Sequence, residues 1–267
     1  LAAIAGFMHD IGNVINRKDH AQSGAVMAFR ILDNMNCDPE DTATIITAIG
    51  NHDESTAFPV NPVAAALIIA DKNTHKAAGE QVCDILKESD ICYSEFIYET
   101  NTLAPDEKAV GDVIMHYDSD CDVIVGVGSG VINDIGKIVS KVADKPYIIV
   151  ATAPSMDGYA SATSSMELNG LKVSLSSRCA DVIIGDISIL KNAPDRMLKS
   201  GLGDMLAKYI SICEWRISNI INGEYYCEEV AELIRKALRC CVKNTQGLLL
   251  KNETAVTAVF EGLVLGG

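Results

Sequence analysis

Two sets of residues in this chain have types and spacings that could do chemistry. The first is a run of histidines and aspartates, His9-Asp10, His20, His52-Asp53 and Asp71, at the ends of helix-like runs and in polar turns. Neutral imidazoles and carboxylates so placed suit one or two divalent metal ions that generate hydroxide near neutral pH. Scattered His and Asp of this kind are more often surface and cap residues, so spacing alone leaves both readings open. The second set begins at CDVIVGVGSGVINDIGK, where Gly126, Gly128 and Gly130 follow an apolar strand and precede a helix carrying Ile132, Ile135 and Ile138. Glycines there let the backbone approach a pyrophosphate, whose charge meets free N–H groups at the helix N-terminus. The spacing is not G-x-G-x-x-G, and such a turn is about as often simple turn chemistry. Downstream, TAPSMDGYAS brings hydroxyls, a Pro-fixed turn and Asp157 to the same sheet edge, and GLGDMLAKY puts Asp204 near the start of a helix. Plain readings stand beside these: Asp204 as an N-cap, Asp157-Gly158 as a turn, and Asp134 as a first-turn carboxylate favoured by the helix dipole.

The elements that must position these residues fall into three textures. Residues 1 to about 63 carry helical periodicity, over 1–9, 22–35 and 39–49. From Ala64, apolar strand-like runs (ALIIAD, ICYSEFIY, CDVIVGVGSG, PYIIVAT, ADVIIGD) alternate with helical ones (THKAAGEQVCDILKES, DEKAVGDVIMHY, VINDIGKIVSKVAD). That order predicts a parallel sheet with helices on both faces. From Ala193 the pattern is helical again, over 193–199, 204–219, 227–243 and 253–265, with Gly201 and Gly223 as punctuation. Tyr209, Ile212 and Trp215 fall at helical spacing and are expected in the core. His75 and His116 lie in helical stretches with no partner in sequence, and Cys240-Cys241 reads as helix packing.

Charge and composition exclude several functions. With 22 basic against 36 acidic residues the net charge is −14, which disfavours nucleic acid and anionic membranes as partners. No apolar run approaches the ~20 residues that span a bilayer. Nine cysteines without a C-x-x-C pair read as reduced thiols in a cytoplasmic protein. The chain opens on Leu1 inside an apolar run without a basic segment before it, which reads as a truncated start and not as a signal peptide.

The segments DKNTHKAAGEQV, APDEKAVGDVI, GVGSGVINDIGK, TAPSMDGYAS and GLGDMLAKYISICEWRIS occur in that order between about residues 70 and 267. They resemble the glycerol-1-phosphate dehydrogenases of the iron-containing alcohol dehydrogenase and dehydroquinate synthase superfamily. The resemblance implies hydride transfer between NAD or NADP and a small phosphorylated polyol or ketose, interconverting dihydroxyacetone phosphate and glycerol 1-phosphate. A metal, zinc or nickel, would polarise the carbonyl. By motif, Asp71 would hold the adenosine ribose, while Gly128, Gly130, Val131, Ile132, Asn133 and Asp134 would wrap the pyrophosphate. Thr152, Ala153, Pro154, Ser155 and Ser161 would line the nicotinamide side. Asp157 would bind substrate, Asp204 would bind both substrate and metal, and a homo-oligomer is compatible with this. The family's ligands are one Asp and two His, and no histidine follows His116, so the expectation is a cofactor pocket without competent catalysis.

The segments GFMHDIGN, DHAQSGA, AIGNHDE and NPVAAALIIADK resemble an HD-domain metal-dependent phosphohydrolase. By that resemblance His9, Asp10 and Asp71 would be divalent-metal ligands, and His20 and His52 further ligands or phosphate contacts. That family's first metal-binding histidine lies upstream of its His-Asp, where only eight residues precede His9, so the expected site lacks one ligand. Both resemblances claim Ala70, Asp71 and Lys72, and a junction without a linker reads as a chimeric or fragmentary frame open at both ends. The expected fold is therefore α/β: a partial helical HD-type segment (1–63), a Rossmann-like parallel α/β cofactor domain (64–190) and a partial all-α metal and substrate domain (191–267).

Overall fold

The computed structural model describes residues 65–100 and 102–267, with positions 31, 32 and 35. The chain divides into two compact units, Leu1–Val63 and Ala64–Gly267. All elements below belong to the second. Apart from the three isolated positions, the helical section expected over 1–63 lies outside the described residues.

Strand β1 (Ala65–Asp71) is buried along nearly its whole length, as a strand covered by helices on both faces must be. The chain then runs through a short helix α1 (Lys72–Thr74), a π-helical turn (His75–Gly79) and α2 (Glu80–Glu88) into β2 (Cys92–Tyr98). Helix α3 (Glu107–His116) leads to β3 (Val123–Gly128), which is buried throughout, and α4 (Gly130–Ala143) leads to β4 (Tyr147–Ala151). A hairpin of β5 (Thr163–Leu168) and β6 (Leu171–Ser176) precedes the short β7 (Val182–Ile184). The rest is helical: α5 (Ile187–Leu190), α6 (Asp195–Asn222), α7 (Glu228–Lys243), α8 (Thr245–Leu249) and α9 (Glu253–Gly266).

Five strands form one parallel sheet in the order β2-β1-β3-β4-β7. After β1 the chain moves outward to β2, then crosses back past β1 to β3. The direction of winding therefore reverses between β1 and β3, and ligands of open α/β sheets bind outside the strand carboxyl ends at such a point. Ala70 pairs with Val127, so Asp71 and the Gly128-Ser129-Gly130 turn emerge side by side at that edge.

One core runs from the sheet into the C-terminal helices. Ile69, Ile124, Ile135 and Ile149 belong to the same buried cluster as Leu198 and Met205 of α6 and Phe260 and Leu263 of α9. The Tyr159 ring meets Phe260 edge-on, with centroids 5.6 Å apart.

Three expectations need correction. Gly201 does not break a helix, because α6 runs unbroken from Asp195 to Asn222. The glycine serves close approach: it is buried, and a Cβ there would overlap the Pro154 carbonyl oxygen. Asp204 consequently sits inside a helix, not at its cap. Tyr209 is 48% exposed, on a face of α6 that turns away from the core, whereas Ile212 and Trp215 pack in a small cluster with Ala231 and Ile234. The β5–β6 hairpin was not expected at all. Its tip, Asn169-Gly170, has positive φ at both residues (52° and 76°), the backbone that a tight two-residue hairpin turn demands.

Gly201 and Gly203 should respond oppositely to alanine. Gly201→Ala is expected to cost about 1–3 kcal/mol through overpacking against the Pro154 carbonyl. Gly203 is exposed with nothing within 4 Å of its missing Cβ, so Gly203→Ala should gain up to about 1 kcal/mol of helix propensity. Urea unfolding of the two variants checks the signs, and a Gly201→Ala protein as stable as its parent contradicts the packing.

Candidate functional site

A cavity of about 730 Å³ opens at the switch-point edge, with Gly130, Val131 and Asp134 of α4 on one side and Asp157, Ser161 and Asp204 on another. The β5–β6 hairpin forms a third wall with Thr163, Ser165, Lys172 and Ser174. Ser129 precedes α4 with a non-helical backbone and makes no side-chain cap, so the first N–H groups of that helix have no capping side chain. An uncapped N-terminus reached through a Gly-Ser-Gly turn is chemically an anion site.

Behind the turn, the chain from Asp157 to Thr163 is held by one buried cation. The Lys137 side chain has no exposed surface and stands 3.3 Å from Asp134. Its ammonium donates to the carbonyls of Gly158 (3.1 Å), Ser161 (3.4 Å) and Thr163 (2.5 Å). The Asn133 amide also donates to Gly158 O at 2.9 Å, leaving its own oxygen buried and without a partner among the described residues. Burial lowers the Lys137 pKa and raises that of Asp134, and in each case the opposite charge of the pair resists the shift.

A second charge cluster lies where α6 passes this segment. The Asp157 amide donates to Asp204 Oδ2 at 2.8 Å, while Lys208 Nζ pairs with Asp157 Oδ2 and donates to Gly266 O at 3.1 Å. Lys208 lies one turn beyond Asp204, so one helix presents both an anion and a cation to the same segment. Burial, followed by the neighbouring Asp157 charge, pushes the Asp204 carboxyl above the usual carboxylate range.

The residues expected at the site divide into four groups. Gly130, Val131, Asp134, Asp157, Ser161 and Asp204 converge on the cavity. Gly128, Ile132, Asn133, Thr152, Ala153, Pro154 and Ser155 are not among the residues that line it: Ile132 packs against Gly128, Thr152 N bonds Gly128 O at 3.0 Å, and Ala153 O accepts from Tyr159. Asp71 sits at the end of β1 and caps α1, its Oδ1 accepting from Asn73 N (2.8 Å) and Thr74 N (3.1 Å). His9, Asp10, His20 and His52 lie outside the described residues. Lys137 and Lys208 were missed. Their spacing from Asp134 and Asp204, three and four residues along one helix, was the available signal. His116 accepts the plain reading, bonded to Asp112 O at 2.7 Å, but His75 does have a partner, Glu95 at 2.7 Å.

A doubly wound parallel sheet with an open helix start at its switch point defines a class of α/β protein that takes ligands at the strand carboxyl ends. The family follows from comparison. Residues 53–194 match the family model described as iron-containing alcohol dehydrogenase, and the chain belongs to that family. It is 32% identical over 204 residues to glycerol-1-phosphate dehydrogenase [NAD(P)+] of Bacillus subtilis, covering 75% of this chain and 52% of the relative. It is 33% identical over 207 residues to the protein of the same name from Thermococcus sibiricus, covering 75% and 56%. The chain thus spans about half the length of the curated relatives it matches. The fold is similar to that of glycerol dehydrogenase from Schizosaccharomyces pombe (TM-score 0.68, 21% identity, 77% of this chain and 55% of the other). It is also similar to an iron-containing alcohol dehydrogenase from Thermotoga maritima (TM-score 0.59, 16% identity, 75% and 60%).

Because the folded protein holds the Asp204 proton more tightly than the unfolded chain, the stability this contributes is full at low pH and is lost as pH rises through the raised folded value. Asp204→Asn keeps an oxygen for the Asp157 amide and removes the charge. The variant should be more stable than its parent at neutral pH, with the gain fading once pH falls below the ordinary Asp range. Denaturant midpoints across pH 3–8 check this, and a parent at least as stable as the variant at pH 7 contradicts it.

Proposed function

We propose that this chain provides the NAD(P)-binding half of a dehydrogenase that interconverts dihydroxyacetone phosphate and glycerol 1-phosphate. The observation that carries the reading is the uncapped start of α4 opening onto the same cavity as Asp157 and Asp204. Relatives named glycerol-1-phosphate dehydrogenase [NAD(P)+] support the substrate class. The residues fit the cofactor: the Gly130 and Val131 amides would take the pyrophosphate, Asp71 a ribose hydroxyl, and Ser161 the nicotinamide side. When bound, the nicotinamide supplies or accepts a hydride.

The remaining work falls to side chains of this chain. Asp157, held by Lys208, would accept a substrate hydroxyl and fix its orientation. Lys172 on the hairpin wall offers a cation to a phosphate. Asp204, whose carboxyl is pushed upward, would hold a proton or a substrate hydroxyl beside Asp157. For zinc or nickel the fit is incomplete, because Asp204 is one carboxylate donor and the described residues lining this cavity include neither His nor Cys. Among the described residues no helix is long and apolar enough to cross a membrane. The eight described cysteines are all free, which supports a reducing, cytoplasmic setting.

NADH binding followed by fluorescence tests the reading, with Gly130→Val as the probe. A Cβ at Gly130 meets only the flexible Met156 side chain, at 3.3 Å, so the variant keeps room to fold while its branched side chain blocks the pyrophosphate. Saturable binding weakened more than about tenfold by the substitution is expected, a loss of at least ~1.4 kcal/mol. Absence of binding, or binding indifferent to Gly130→Val, refutes it. Dihydroxyacetone phosphate should then bind the NADH complex, and glycerol binding equally well would contradict the phosphorylated substrate class.

A further inference from the structure

Away from this cavity, three residues of metal-ligating type meet on the outer flank of the sheet. His75 lies in the π-helical turn after β1, Cys83 in α2, and Glu95 on β2, in register with Ile68. His75 Nε2 is 2.7 Å from Glu95 Oε2 and 4.0 Å from Cys83 Sγ, and the three ligand atoms lie within 4.8 Å of one another. The cysteine is buried, the histidine half-buried and the glutamate exposed, so the group reaches solvent on its glutamate side.

The backbone is arranged to permit this meeting. Residues eight apart on a regular α-helix are about 12 Å apart along its axis, too far for an imidazole and a thiol to touch without help. Here the imidazole lies along the helix toward Cys83 over Gly79, where a Cβ would stand 2.6 Å from His75 Cδ2. The π-helical turn itself spans His75–Gly79, and single π turns inside helices are frequent at functional sites.

We propose that His75, Cys83 and Glu95 bind a thiophilic divalent metal ion of the zinc type, through one imidazole nitrogen, one thiolate and one carboxylate oxygen, with water completing the tetrahedron. Tetrahedral zinc separates such ligand atoms by about 3.3–3.7 Å, so the His–Glu pair must part and the thiol must close, each by about 1.5 Å or less. Burial and the Glu95 charge hold the Cys83 thiol up at about 11, so the ion has to displace a proton from sulfur as well as split the His75–Glu95 contact. Lys87 is the nearby cation; it pairs with Asp84 at 3.8 Å and lies over the Tyr93 ring. The bound ion would fasten the helix that follows β1 to edge strand β2. This site is independent of the proposed dehydrogenase reading.

Cobalt(II) titration of the full chain tests the proposal, because a cobalt-bound thiolate gives a near-ultraviolet charge-transfer band that His and carboxylate ligands do not. One equivalent should produce the band, Cys83→Ser should abolish it, and Asp204→Asn and Cys92→Ser should leave it. His75→Gln and Glu95→Gln should each weaken cobalt binding more than about tenfold, the least that loss of even an outer-shell partner costs at such sites. Gly79→Ala, which keeps all three ligands and crowds the imidazole, should weaken it too. Metal-free thermal unfolding of every variant shows which are folded. Absence of the band in the parent, or its survival in folded Cys83→Ser, overturns the site.

Discussion

The cavity depends on one buried ammonium. Taking Lys137 out of water costs several kcal/mol, and only a close anion and well-placed oxygens can offset that. Asp134 supplies the anion, and three carbonyls of the 158–163 segment supply the oxygens. Removing one partner from such an arrangement costs about 3–5 kcal/mol, so each holds the others in place. Because Lys137 and Asp134 both sit on α4, the helix that begins at the glycine turn also fixes the loop across from it. Turn, loop and hairpin wall become one unit.

That unit explains how charge is distributed. The chain is strongly acidic overall, so the general field would not draw in a phosphate, and any phosphate bound would have to be held locally by backbone N–H groups and individual cations. The uncapped start of α4 provides the former. Lys208 is turned toward Asp157 and Lys172 toward the cavity, while Asp204 is left as a carboxyl pushed upward by burial and by its neighbour.

Much of the sheet was legible because a parallel sheet buried on both faces writes its strands as apolar runs, and ALIIAD, CDVIVGVG and PYIIVAT are such runs. The hairpin strands, TSSMEL and LKVSLS, have one face toward the polar cavity, so their hydrophobic signal is weak, and only Asn169-Gly170 marked the turn. Gly201 was misjudged because a glycine that breaks a helix and one that lets a neighbouring backbone approach look the same in sequence. Asp157 and Asp204 could be picked out by motif, yet the bond from the Asp157 amide to Asp204 links positions 47 residues apart, the Lys208 pairing with Asp157 links positions 51 apart, and both exist only in the tertiary fold. The same holds for His75, whose glutamate lies 20 residues away on an edge strand.

If NADH binds at the open start of α4, the glycine turn and the loop tied down by Lys137 should respond together, because Lys137 joins that helix to the loop. Amide hydrogen exchange of the whole chain, with and without saturating NADH, tests it directly. Slowed exchange is expected in residues 128–133 and, to a similar degree, in 157–163, with β2 and α7 unchanged. Protection confined to the turn, or none in either segment, would contradict it.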